Sequence, residues 1–395
     1  MKKIINLLLV VVLIFSLAAC GSKTEESAVP EKKEETEQKV EADTDKDEAK
    51  TDKDEAKTDK DEAKTDKDEA KTFRIGYASK NQDNPFQQSF VKEMHKQADE
   101  RGWDVTILDA KNQIETEQAN METFITQDYD LIFINSVDPL AGAKKCKEAK
   151  DAGIPVIAID SNIDATAEVV TLVVAPNLSG GYKVGEYMST CYDEDEEIRA
   201  AMISGNKGNT GGLERRVGVF AGLIDARTGI GEDAAFEAAW QLADDLTNNG
   251  SAEYPDANFV LVGQGWGNWS TDGGLSAGED LVTANPDINC MIAPNDSMLI
   301  GGYKAVENAG LLDQVQFFAS HDGMKEGLEL IKEGTQYKAT GLNHPRFVVA
   351  KGWDIADEIL VGGADPEAFD PLITTDPIAI TIENVDDFYD PNADF

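Results

Sequence analysis

The sequence predicts an α/β fold in two lobes, each a parallel sheet covered by helices, set behind a long charged leader. Three observations carry this reading. Nine short apolar runs, at 73–78, 105–108, 131–134, 154–159, 169–174, 200–203, 259–262, 290–293 and 315–319, are hydrophobic along nearly their whole length, as strands buried on both faces are. Amphipathic stretches separate them, and repeated strand–helix alternation argues for parallel sheets with helical cover. At 395 residues the chain is long enough for two lobes with a core each.

The leader comes first. Met1-Lys2-Lys3 gives a positive start, an apolar run broken only by Asn6 follows to Phe15, and Ser16-Leu17-Ala18-Ala19-Cys20-Gly21 closes it. The run is too short to cross a bilayer as a mature helix and reads as a signal peptide over residues 1–19. Leu17-Ala18-Ala19-Cys20 resembles the bacterial lipobox, which implies cleavage before Cys20 and a lipid on its thiol; the alternative is an ordinary export signal with an incidental cysteine. Residues 21–71 hold almost no apolar side chains, and four copies of Thr-Asp-Lys-Asp-Glu-Ala-Lys run from Thr44 to Lys71. Only Ala is available for the seam that a seven-residue period would need, so no coiled coil is expected. The segment cannot bury enough surface to fold alone. It reads as an extended tether that spans roughly 160–180 Å if fully stretched.

The formal net charge is −39, and residues 21–71 carry 12 Lys against 20 acidic residues, so most of the excess falls on residues 72–395. Such a field repels nucleic acid and anionic headgroups and favours a neutral or cationic ligand. Three cysteines remain, Cys146 and Cys191 in predicted helices and Cys290 in a predicted strand. They match no zinc spacing and read as small buried hydrophobes.

Along residues 72–395, Phe86, Phe90, Met94 and Ala98 recur every four residues and stop at Gly102, which predicts a helix. A second helix starts at Pro139 and ends near Gly153, and a third covers about 345–360. An amphipathic segment at about 225–253 reads as an insertion with no assigned place. In parallel sheets, ligands bind beyond the carboxyl ends of the strands. The residues there are polar: Asn84, Asn135 and Ser136, Asp160 and Ser161, Asn295 and Asp296, His321 and Asp322. Amides and carboxylates are what a site needs to hydrogen-bond several hydroxyls at once.

The motifs now carry a resemblance. Asp83-Asn84-Pro85-Phe86, Ile134-Asn135-Ser136-Val137-Asp138-Pro139, Pro155-Val156-Ile157-Ala158-Ile159-Asp160 and Ala293-Pro294-Asn295-Asp296 are similar to strand-end motifs of the type I periplasmic solute-binding proteins, in the ribose- and galactose-binding group. The resemblance implies two Rossmann-like lobes joined by a three-crossing hinge. Lobe 1 would take about 73–175 and 344–372, and lobe 2 about 176–343 and 373–395. It implies a ligand set of Asn84, Phe86, Asn135 and Asp160 from lobe 1 and Arg216, Trp269, Asn295, Asp322 and Asn343 from lobe 2. Polar groups would grip the edge of a sugar, and Phe86 and Trp269 its faces. Four of these keep a second reading: Phe86 as a core anchor, Arg216 as a structural group with Arg215 taking its place, and Asn295 and Asp322 as helix caps. Trp266 is an alternative to Trp269.

The sequence also departs from sugar-binding relatives. Gln87 stands where several carry a second aromatic, Ser161 where some carry an Arg, and His321 where an aromatic often precedes the acid; the galactose-type acid is missing from Gly211-Gly212-Leu213. Neither pure ribose nor pure galactose specificity follows. The expectation is an extracytoplasmic, lipid-anchored, monomeric receptor that passes a sugar or polyol to an ABC permease, without metal or other cofactor and without nucleic acid. A ligand sensor that feeds a membrane kinase or chemoreceptor is the alternative. An enzyme reading rests on Gly274-Leu275-Ser276-Ala277-Gly278, with Asp322 and His344 in hydrolase order; the stretch before it is polar and turn-like, which a nucleophile elbow does not tolerate. The loop 205–212 lacks the ending of a nucleotide loop, and the acids of 193–197 lack the central Gly of a calcium loop.

Overall fold

The computed structural model describes residues 72–395. The signal peptide, Cys20 and the repeat segment lie outside the described residues. The chain runs β1 (Arg74–Ser79), α1 (Pro85–Arg101), β2 (Asp104–Asp109), α2 (Ile114–Thr126), β3 (Leu131–Ile134), α3 (Pro139–Asp151), β4 (Val156–Ile159) and β5 (Thr171–Val174). It continues through α4 (Asn177–Ser189), β6 (Ile198–Ser204), α5 (Thr210–Thr228), α6 (Glu232–Asn249), β7 (Ala252–Tyr254), β8 (Phe259–Trp266), α7 (Thr271–Ala284), β9 (Cys290–Ala293), α8 (Asp296–Asn308), β10 (Gln316–Asp322), α9 (Lys325–Lys332) and β11 (Tyr337–Leu342). It closes with α10 (Pro345–Leu360), β12 (Leu372–Thr374) and β13 (Ala379–Thr381).

Two sheets result, ordered β12-β5-β4-β3-β1-β2 and β13-β11-β10-β9-β6-β8-β7. The first is parallel throughout; the second is parallel except at its two edges, where β13 and β7 pair antiparallel. The chain passes between the sheets three times, after β5, after β11 and after β12. Every residue of β3 and β4 is buried, as two-sided helical cover requires. In the first lobe, α1 and α10 pack Phe90, Met94 and Trp353 on one face, and α2 and α3 pack Met121, Phe124 and Cys146 on the other. In the second, α4, α5 and α6 cover one face and α7, α8 and α9 the other.

The helix predicted from Phe86, Phe90, Met94 and Ala98 is α1. Asn84 caps its start and Gly102, at φ 66°, its end. The helices begun at Pro139 and Pro345 are α3 and α10. Four strands were not legible as apolar runs. β7, β12 and β13 are three-residue edge strands, and β11 carries Lys338, Thr340 and Gly341, which interrupt hydrophobic continuity although Thr340 is fully buried between two neighbours. The 225–253 segment holds the end of α5, all of α6 and most of β7. Ala235, Ala239, Leu242 and Leu246 of α6 lie on one helix face and join the core that α5 covers. Cys191 sits in the turn after α4 rather than within a helix, because α4 stops at Ser189; Cys146, Cys191 and Cys290 are free thiols. Ser276 is an exposed residue of α7, and the glycines around it serve packing: a Cβ on Gly274 would fall 2.1 Å from the Met298 carbonyl oxygen. No strand leads into that serine, so no nucleophile elbow forms. Among the described residues no helix is long and apolar enough to cross a membrane.

Candidate ligand-binding site

The carboxyl ends of both sheets face one cleft of about 660 Å³, within the ~300–1,000 Å³ of small-molecule sites. Ten of the residues lining it are asparagines, among them Asn84, Asn177, Asn209, Asn295 and Asn343. An amide both donates and accepts, so this lining meets hydroxyls in either orientation.

On the first lobe, Asn84 spends its Oδ1 as the α1 cap, accepting from the Gln87 N–H at 3.0 Å, and turns its amide to Asn81 and Asp83. Phe86, in the first turn of α1, lines the cleft and also packs on Phe90 and Phe395, with ring centroids at 5.9 and 5.5 Å. Wall and core anchor are therefore one side chain. Asp160, at φ 67°, turns out of β4 into the cleft. Its Oδ2 accepts from the Asn135 amide at 2.9 Å and the Gln87 amide at 3.2 Å. Asn135 does not line the cleft: it is 0% exposed at the end of β3, and its amide bridges Asp160 and the Gln87 carbonyl. The structure places Asn135 beneath the carboxylate, with Gln87 as its partner. Gln87 was noted in the sequence only as a missing aromatic. Lys80 also reaches the cleft, where its ammonium donates to the Ser161 hydroxyl at 3.1 Å.

On the second lobe the expectation for Arg216 is corrected. Arg216 shares a helix face with Phe220 and Leu223, which α5 turns to its sheet. It is 6% exposed and donates to Ser204, Gln264 and Thr247 at 2.9–3.3 Å. Burial lowers its pKa. Its neighbour Arg215 lines the cleft instead. Arg215 donates to Asn177 Oδ1 at 3.0 Å, the Pro294 carbonyl at 3.2 Å and Asp322 Oδ1 at 3.3 Å. Its guanidinium also lies 5.7 Å from the centre of the Trp269 ring. The 216–220–223 spacing was the available signal that Arg216 points inward.

Trp269 lines the cleft and Trp266, the last residue of β8, does not. The indole lies over Gly205 and Gly212; a Cβ on Gly205 would come within 2.4 Å of the ring, so the wall needs glycine there. Asn295 caps α8 through the Met298 N–H at 3.1 Å and still lines the cleft, so its two readings coexist. Asp322, at φ 119°, ends β10 with its carboxylate held by Arg215 and by the Asn343 amide at 3.5 Å. Burial pushes its pKa up, against the pull of the Arg215 charge. Behind it, Asp296 is fully buried and accepts from the Tyr337 hydroxyl at 2.5 Å and the Met324 N–H at 2.7 Å. Burial, with the nearby Asp322 charge second, raises its pKa to about 7. His321 is buried against Ser320 at 2.9 Å, below α4, where a Cβ on Gly180 would meet its ring at 2.6 Å.

Asn177, Asn206, Asn209 and Asn268 were missed as site residues. Asn177 follows the 169–174 run, so the strand-end rule applied there finds it. Asn209 caps α5, accepting from the Gly212 N–H at 2.8 Å, within the loop 205–212. Among the described residues no group of three or more His, Cys, Asp or Glu is placed to hold a metal ion. In the acidic 193–197 stretch, Glu197 pairs with Arg199, and Arg227 takes the Asp193 and Glu196 carbonyls.

Residues 75–364 match the family described as periplasmic binding protein domain. The chain is similar to the ribose import binding protein of Bacillus subtilis (strain 168), 28% identical over 290 residues covering 73% of this chain and 82% of that protein. It is also similar to the D-apiose import binding protein of Actinobacillus succinogenes, 24% identical with 73% and 79% covered. Among solved structures it superposes on an ABC transporter periplasmic solute binding protein from Actinobacillus succinogenes with bound D-allose, at TM-score 0.64 and 24% identity, covering 80% of this chain and 100% of that one. The Caulobacter myo-inositol binding protein bound to myo-inositol gives 0.63 at 23% identity, with 80% and 96% covered. Both structural likenesses are of fold.

Proposed function

The chain belongs to the periplasmic binding protein domain family, and from that membership and its cleft we propose that it captures a monosaccharide or polyol outside the cytoplasm and delivers it to an ABC importer. One observation supports this above the rest: a cleft lined by ten asparagines, with Phe86 and Trp269 as apolar walls and Asp160 and Asp322 already held by protein donors. Carboxylates fixed before the ligand arrives lose little freedom on binding, and charge-assisted bonds to hydroxyls are the strong ones. The ligand contacts would be Asn84, Phe86, Asp160, Arg215, Trp269, Asn295, Asp322 and Asn343. Asn135 would act from beneath.

The protein is a binding protein and not an enzyme; Ser276 lies within a helix. Relatives named for ribose and D-apiose import support the ligand class. Cys20, in its lipobox-like setting, would carry the lipid, and the charged segment after it would hold the monomeric receptor away from the membrane. Calorimetry of the purified protein against pentoses, hexoses and inositols tests the ligand class. Saturable binding of at least one is expected, and silence across the panel would sink the sugar reading. Labelling with a palmitate analogue in the producing cell should mark the wild type and not Cys20→Ala.

A further inference from the structure

Segment 388–395 follows the last strand and connects the two lobes outside the three crossings. It leaves the second lobe, where the Tyr389 hydroxyl donates to Glu329 at 2.9 Å and the Lys325 ammonium to the Pro391 carbonyl at 2.5 Å, both on α9. It reaches α1 of the first lobe, where Asp394 pairs with Lys92. There it delivers the ring of Phe395. Pro391, Asn392 and Asp394 are exposed, yet Phe395 is only 3% exposed. Its ring meets the cleft wall Phe86 edge-on, at 5.5 Å and 82°, and His344 at 5.6 Å. His344 stands at the second crossing, capping α10.

We propose that segment 388–395 is a strap across the hinge, and that Phe395 is a positioning residue that braces Phe86 against the second crossing and biases the lobes toward closure. The inference rests on the cleft being the ligand site. A hinge motion that parts α9 from α1 must either stretch the residues between Tyr389 and Phe395 or withdraw the ring from its seat. Withdrawal exposes an aromatic surface and frees Phe86, whose remaining aromatic neighbour among the described residues, Phe90, lies on its own helix. The Lys92–Asp394 pair contributes little, because both side chains are mostly exposed and an exposed ion pair is weak. The ring is therefore the working part of the strap. Gln87 occupies the next position of α1 and is committed to Asp160, so it offers no second aromatic brace.

The test uses the full chain with Cys20 and Cys191 changed to Ser and nitroxide labels at the exposed positions Lys144→Cys on α3 and Asp272→Cys on α7. Pulsed dipolar spectroscopy without ligand should show the inter-lobe distance distribution of Phe395→Ala moved to longer values. Phe395→Trp, which keeps a ring, and Lys92→Gln should match the parent. An unchanged distribution in Phe395→Ala overturns the strap; equal opening in Lys92→Gln overturns the assignment to the ring. Calorimetry with D-ribose, D-allose and myo-inositol forms a separate arm, in which any of the three that binds the parent should bind Phe395→Ala about tenfold more weakly. If none binds the parent, these three ligands are excluded and the wider panel decides the sugar reading, while the distances still decide the strap.

Discussion

Arg215 and Arg216 stand about 100° apart around α5, and that angle separates a cleft residue from a structural one. Arg215→Ala removes the cation beside Asp322 and Trp269 and should weaken ligand binding by tenfold or more. Arg216→Ala leaves Ser204, Gln264 and Thr247 without their donor and should cost roughly 1–3 kcal/mol of stability with little change in affinity. Urea denaturation beside calorimetry checks both; a large affinity loss confined to Arg216→Ala would reverse the assignment. Asp296 makes a pH prediction at the same scale. Its folded pKa of about 7 lies above the ~3.9 of an unfolded Asp, so between about pH 4 and 7 the folded state holds a proton that the unfolded state has lost. This contribution is fully present below about pH 4 and is lost as pH rises to about 7, by an amount on the order of a few kcal/mol. His344, whose pKa burial lowers to about 4, runs the other way: its stability share grows as pH rises from about 4 to 6.5. The wild-type profile mixes these with other shifted groups, Asp322 among them, and the difference between wild type and Asp296→Asn removes the groups that the substitution leaves untouched. That difference should decline from about pH 4 to 7, and a flat one would show that Asp296 ionises normally.

Among the elements, α4 and α5 set the second lobe's edge of the cleft by touching along their backbones. A Cβ on Gly185 would fall 2.2 Å from the Val219 carbonyl oxygen, one on Gly218 2.3 Å from that of Leu178, and one on Gly222 2.0 Å from that of Tyr182. Backbone cannot yield as a side-chain tip can, so the pair must separate to admit a methyl. Gly→Ala inside a helix is otherwise worth up to ~1 kcal/mol in favour of the helix. Here the clash should win, and Gly218→Ala should destabilise by about 1–3 kcal/mol. The shift would reach the site, because α4 starts at Asn177, which accepts from Arg215. Equilibrium denaturation measures it, and a Gly218→Ala protein as stable as wild type would mean that the helices part at no cost. The element boundaries themselves were readable where the chain punctuates them: Asn84, Pro85 and Gly102 around α1, Pro139 at the start of α3, Pro345 at the start of α10. β11 was not, because Lys338, Thr340 and Gly341 interrupt its apolar run, and the buried Thr340 lies between two strands and accepts from the distant Gly323 N–H.

For the whole molecule, a net charge of −39 means self-repulsion in the folded state. Raising sodium chloride from about 10 to about 200 mM shortens the Debye length to under ~10 Å and should raise the melting temperature. Calorimetric scans that show no rise would indicate that the acidic groups are already well compensated. Ligand should act on top of this: at one hundred times Kd, binding to the folded state alone adds about 2.7 kcal/mol.

The sequence by itself determined the fold class and the location of the cleft. Both follow from local regularities: apolar runs that must be buried on two faces, helices with their own caps, and polar residues at the ends of the runs. It also determined that Asp160, Asn295 and Asp322 sit at those ends; Asn343 follows β11, which is no apolar run, and was reached only through the family resemblance. Tertiary structure decided what each side chain does there. The partnership of Gln87 and Asn135 beneath Asp160, the pairing of Arg215 with Asp322, the choice of Trp269 over Trp266, and the seating of Phe395 against Phe86 join residues from tens to hundreds of positions apart. Such contacts depend on how lobes and layers meet in space, and short-range periodicity carries no information about that.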